Sequence, residues 1–152
     1  PITPVPSVPA AFLAELVADD GPLLQLPALE PGKDRPGKAW NARAMLQSTA
    51  HWRPLLNGYS SYWPAGFIER MQLGEQLPDR GALERLVRET GVRMVWVDLT
   101  SVTTEQRARW QAAPEEIEQG GLRLVARDGA NLLFRVVPAA AARPQEEIFP
   151  NR

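Results

Sequence analysis

A chain of 152 residues is expected to form one domain, long enough to bury a core without metals or disulfides. With 17 Lys and Arg against 18 Asp and Glu, its net charge of -1 excludes nucleic acid as the main partner and offers no like-charge run for an anionic membrane surface. Cysteine is absent and His51 is the single histidine, which excludes disulfides, thiolate nucleophiles and a histidine-rich metal site, and no cofactor is expected.

Pro1 to Pro6 reads as an extended linker, because prolines at 1, 4 and 6 fix φ and remove donors. No stretch approaches the roughly 18 apolar residues of a membrane span, and no signal peptide is present. A chain that opens on Pro1-Ile2-Thr3-Pro4 reads as a processed or truncated product. Ser7 is placed to cap a first helix, with Val8, Phe12, Leu16 and Val17 on one face and Gly21 closing it. Leu23 to Leu26, bounded by Pro22 and Pro27, reads as a strand. Residues 27–41 are rich in Pro, Gly and charge and read as an exposed loop, followed by a second strand over 43–47.

Pro64 is placed to open a helix through Phe67, Ile68 and Met71. Asp79 can cap the next, which ends at Gly91 with Leu83, Leu86 and Val87 inward. Val92 to Val97 is almost continuously apolar, as in a strand covered on both faces. Thr103 with Gln106 makes a capping box for a helix to about Ala113. Gly120-Gly121 breaks the chain before the strand 122–127, and Asp128-Gly129 signals a type I′ turn into a partner strand over 132–137. The order predicts an α/β fold: a mixed, mostly covered sheet of about five strands with flanking helices and a C-terminal antiparallel hairpin. Residues 1–7 form a linker, 8–137 a single domain and 138–152 a flexible tail.

One stretch, residues 48–64, concentrates a histidine, an arginine, four aromatics and the turn-forming pair Asn57-Gly58. Its pattern "S-T-x-H-W-x-P-L-x-N-G-Y-S-x-Y-x-P" resembles the C-terminal region of bacterial multi-spanning, glycosyltransferase-like membrane proteins. "G-P-L-L-Q-L-P" (Gly21 to Pro27), "G-V-R-M-V-W-V-D" (Gly91 to Asp98) and "G-L-R-L-V-A-R-D-G-A-N-L-L-F-R-V" (Gly121 to Val136) extend the resemblance over most of the chain. It implies a soluble α/β domain on the extracytoplasmic (periplasmic) side of the inner membrane, tethered through transmembrane helices of the same parent chain. The implied role is accessory and non-catalytic, positioning ligand for a protein that uses lipid-linked sugars. In such transferases the catalytic acidic residue sits on a loop between membrane helices.

Read from the residues alone, His51 could act as a general base or bind a phosphate or sugar hydroxyl, or simply hydrogen-bond backbone. Trp52, Tyr59, Tyr62 and Trp63 could stack on a sugar, dip into a membrane interface or form a small satellite core. Arg53 could clamp a phosphate or join a surface salt bridge. With Asn57 at the turn, these seven residues are the candidate ligand contacts, for a glycan or lipid-phosphate. No catalytic or metal-ligating set is assigned. Two rivals stay open: a free-standing carbohydrate- or peptide-binding envelope module, and a small hydrolase using Ser48, His51 and Asp98. The hydrolase lacks the G-x-S-x-G elbow, and no glycine-rich phosphate loop occurs. Asp19-Asp20 and Glu115-Glu116 read as solvated helix ends.

Overall fold

The computed structural model describes residues 6–58 and 64–138. Along the chain run helix α1 (Ala10–Val17), strand β1 (Leu23–Leu26), helices α2 (Lys38–His51), α3 (Phe67–Glu75) and α4 (Arg80–Thr90), and strand β2 (Met94–Asp98). Helices α5 (Thr104–Trp110) and α6 (Pro114–Gln119) and strands β3 (Leu122–Asp128) and β4 (Asn131–Val136) complete it. The mixed α/β class and the C-terminal antiparallel hairpin agree with the sequence reading. Among the described residues the sheet has four strands rather than five, in the order β1-β2-β4-β3. Strand β1 pairs parallel with β2, and β4 pairs antiparallel with both β2 and β3.

The missing strand is residues 43–47, which lie inside α2. Ala42, Ala44, Met45 and Leu46 are strong helix formers, and the buried positions of α2 are Asn41, Ala44, Gln47 and His51, at helical spacing. Three of those four are polar, so the helical period is invisible to a count of apolar residues. The exposed loop expected over 27–41 is shorter too, since α2 begins at Lys38 and residues 27–29 are buried. The carboxylate of Glu75 holds that turn down, accepting from the Ala28 and Leu29 amides at 2.7 and 3.0 Å.

Several expected end signals appear as read. Asp79 accepts from the Ala82 amide, Gly91 ends α4 at φ 69°, and Thr103 and Gln106 form a reciprocal capping box. Others shift. Pro9 rather than Ser7 precedes α1, which stops at Val17 before Gly21. Gly66, at φ 78°, precedes α3, while Pro64 stands outside it. In the hairpin Asp128 pairs with Asn131, so Gly129 and Ala130 form the loop. Only Gly129 has positive φ, the pattern of a type II′ turn rather than I′.

Strand alternation sends Leu24, Leu26, Val95, Val97, Leu132 and Phe134 to one face, where they join residues of α3 to α6 in a continuous apolar core. The opposite face is split. Near the start of β1, Leu23, Met94, Trp96 and Leu133 pack under Phe12 and Leu16 of α1, with Phe12 edge-on to Trp96 at 5.0 Å. Helix α1 has eight residues and so spans about 12 Å, too little to cover the carboxyl ends of β1 and β2. There the floor becomes polar and the sheet is left open.

Candidate functional site

The chain leaving α2 is shaped by one residue in the left-handed region. Trp52 sits at φ 53°, donates its amide to the Ser48 carbonyl at 2.7 Å and turns the backbone back toward β1. Its indole is 83 % exposed. The flanking side chains go inward. His51 is buried, and its Nδ1 accepts the Arg53 amide at 3.0 Å, which places the proton of the neutral ring on Nε2. Burial, and second the nearby Arg53 charge, hold the imidazole below its ordinary 6.5.

Arg53 is buried as well. Its guanidinium donates to the carbonyls of Leu16, Asp19 and Gly21, with 2.8 Å to Leu16 and to Gly21. These include carbonyls at the end of α1 that no helical amide can reach, so Arg53 closes α1 from outside. Burial pulls its pKa down, opposed first by the Asp19 carboxylate.

Residues 54–57 then run along the free edge of β1. The Leu23 amide donates to the Pro54 carbonyl and the Leu56 amide to the Leu23 carbonyl, both at 2.8 Å. One step further the side chain of Asn57 replaces backbone. Its Oδ1 accepts the Gln25 amide at 2.6 Å and its Nδ2 donates to the Gln25 carbonyl at 2.7 Å. The same Nδ2 donates to Asn41 Oδ1 at 3.0 Å, and Asn41 in turn donates to the Ala28 and Gly37 carbonyls. A sheet edge that would otherwise present unpaired groups is thereby closed.

Of the seven candidate contacts, then, His51, Trp52 and Arg53 come together around a small cavity of about 180 Å³ beside Asp19 and Asp20. His51 and Arg53 are buried there and Trp52 is exposed, while Asn57 is buried apart from them against Gln25 and Asn41. Tyr59, Tyr62 and Trp63 lie outside the described residues. Ser48 donates its hydroxyl to the Met45 carbonyl, while Asp98 stands at the carboxyl end of β2 holding Thr100 and Ser101. His51 lies near the start of β1, so Ser48, His51 and Asp98 form no relay. Among the described residues, no cluster of carboxylates and imidazole suits a metal ion, and no helix is long and apolar enough to cross a membrane.

A different set of residues converges where α1 leaves the sheet open. A cleft of about 510 Å³ lies at the carboxyl ends of the parallel pair β1 and β2, the position where open α/β sheets commonly bind ligands. Its floor is Gln25, Trp96 and Asn131, with the Trp96 indole N–H donating to Asn131 Oδ1 at 3.0 Å. One wall is the α2 face bearing Trp40, Arg43 and Gln47, and the rim carries Asp98 and Asp128. Pro6, Ser7 and Pro9 close the remaining side. Gln25 Nε2 donates to Gln47 Oε1 at 3.0 Å, and Gln47 Nε2 donates to the Ser7 carbonyl at 3.2 Å. Gln25 Oε1 is buried with no partner.

Comparison with protein families, with curated proteins and with solved structures finds no match for this chain. Sequence reasoning passed over the cleft apart from Asp98. The available signal was Gln25, a lone polar residue in the strand Leu23-Leu24-Gln25-Leu26, all four of whose positions are buried.

Proposed function

We propose that this chain is the extracytoplasmic, non-catalytic domain of a multi-spanning, glycosyltransferase-like membrane protein, where it positions ligand for reactions on lipid-linked sugars. The observation that carries the ligand-positioning part is the cleft at the carboxyl ends of β1 and β2, with a buried acceptor on Gln25 that the protein itself leaves unmatched. The membrane part is supported by the resemblance over residues 21–27, 48–64, 91–98 and 121–136. A non-catalytic role fits the way His51 and Arg53 are engaged with backbone rather than with each other's side chains or a nucleophile.

Topology mapping of the full-length protein tests the reading. Single cysteines placed at the exposed positions Ala42 and Thr49 are expected to react with a membrane-impermeant maleimide added outside the inner membrane. Labelling only after the membrane is opened, or a full-length protein devoid of apolar spans, would overturn it.

A further inference from the structure

The hydrogen-bond direction along the cleft floor is fixed by a chain of amides. The Ser7 carbonyl can only accept, so Gln47 must turn its Nε2 toward it and its Oε1 toward Gln25. Gln25 must then turn its Nε2 to Gln47, which leaves Gln25 Oε1 as the atom facing no donor. Gln25 lines the cleft, so a ligand hydroxyl seated on its floor would give this acceptor the donor that the protein does not.

The rest of the lining narrows that ligand. The exposed carboxylate of Asp128 on the rim makes no hydrogen bond or ion pair with any described residue, and Asp98 Oδ2 accepts only from the Ser101 hydroxyl at 2.9 Å. Two carboxylates beside an orphan amide oxygen repel phosphate and demand donors. Arg43, on the opposite wall, has no partner among the described residues and opposes a simple cation. Trp40 is half-buried on the same wall, its ring seated so closely on the helix start that a Cβ at Gly37 would come 2.1 Å from it. Gly37 thus leaves room for the indole to line this wall.

Acceptors at the floor and rim, with one fork-shaped donor and an aromatic ring side by side on the α2 wall, match one ligand chemistry, a ring with many hydroxyls and an apolar C–H side. We infer that the cleft is a subsite for a neutral pyranose, with a sugar hydroxyl donating to Gln25 Oε1, further hydroxyls on Asp98, Asp128 and Arg43, and the ring against Trp40. This deepens the ligand-positioning reading and rests on it for the proposal that the sugar arrives on a lipid carrier.

The experiment is a titration of this chain with methyl glucoside, methyl galactoside and methyl mannoside, followed by amide and indole NMR shifts. Inorganic phosphate and ethanolamine are the charged comparisons. At least one glycoside is expected to shift the Gln25 side-chain amide and the Trp96 indole N–H in a saturable way, with phosphate and ethanolamine inert. Gln25→Met removes the acceptor together with the donor to Gln47 Oε1, so it is expected to lose some stability and, where it folds, to bind about tenfold more weakly, as loss of one buried hydrogen bond to the ligand implies. Should that variant not fold, Trp40→Ala on the half-buried wall decides by the same loss of affinity. No shift with any glycoside, tighter binding of phosphate or ethanolamine, or full affinity in the folded variant would each overturn the subsite. Such a failure leaves the labelling result untouched, so the pyranose subsite and the membrane-tethered reading can fall separately.

Discussion

Two polar clusters flank β1, one on its free edge and one at its carboxyl end, and they differ in what their atoms have left to offer. On the edge, Arg53 meets three carbonyls, while Asn57 meets both backbone groups of Gln25 and the side chain of Asn41. Of the buried side-chain atoms there, only His51 Nε2 and Arg53 Nη2 are left without a hydrogen bond among the described residues. In the cleft, Gln25 Oε1 is buried without a partner, and the exposed side chains of Asp128 and Arg43 are engaged by no described residue and so stand open to a ligand. Buried polar atoms that are matched hold a fold together, whereas unmatched ones cost stability unless something else completes them. A dense polar sequence such as residues 48–58 is therefore a sign of architecture as readily as of binding.

The sharpest way to break this contrast is to remove Arg53. Arg53→Ala leaves the carbonyls of Leu16, Asp19 and Gly21 without donors in a buried site, and a loss of about 3 kcal/mol is expected from hydrogen bonds to a charged group. Arg53→Lys should recover little, because a single ammonium cannot span the fork. Urea unfolding measures both, and a loss below about 1 kcal/mol would mean the bonds are dispensable. Asn57→Ala comes next, at about 2 kcal/mol, since it orphans the Gln25 amide and carbonyl together. A variant that stays as stable but gains a tendency to associate would instead show the edge being closed by a second chain.

The fold was most legible where chemistry acts locally. Asp79, Gly91 and the Thr103–Gln106 pair mark helix ends through their own side chains or lack of one, so the sequence displays them directly. Helix α2 was illegible because its buried stripe includes Asn41, Gln47 and His51, and the partners that bury Asn41 and Gln47 lie far along the chain, at Asn57 and Gln25. The same holds for the site. Asn57 reads as a turn residue from Asn57-Gly58, and nothing local announces that its amide stands in for a strand. The cleft combines residues from the N-terminal segment, β1, α2, β2 and the β3–β4 hairpin, and only the folded sheet brings them together.

Acid separates the clusters by a smaller amount. His51 takes up its proton near 6.5 when unfolded, while in the fold burial first and the Arg53 charge second keep it lower. Between those two values the unfolded chain binds more protons, so stability is fully present above about 6.5 and falls as pH drops through the interval. One proton limits the slope to about 1.4 kcal/mol per pH unit. Thermal unfolding between pH 7.5 and 5.5, on the order of that one-proton span, should show the decline in the native chain and a flatter profile in His51→Gln. Asp19, held low chiefly by its hydrogen bond from Arg93, acts in a separate window below 3.8. Equal slopes in both proteins would place the titrating group elsewhere.

The smallest effect is expected to have the opposite sign. Trp52 takes a left-handed conformation that costs a side-chain-bearing residue about 1 kcal/mol, and its exposed indole returns little by burial. Glycine removes that strain but loses more freedom on folding, so Trp52→Gly should stabilise by about 0.5 kcal/mol, while Trp52→Ala, which keeps the strain, should not. Trp52 does not line the cleft, so glycoside affinity should be unchanged in the glycine variant. A weaker glycoside would tie the exposed indole to the binding site and erase the division between the two clusters. A less stable variant would show that the indole braces the turn. If stability rises and binding holds, the indole is kept at a cost to the fold, as expected of a side chain whose contact lies outside this domain.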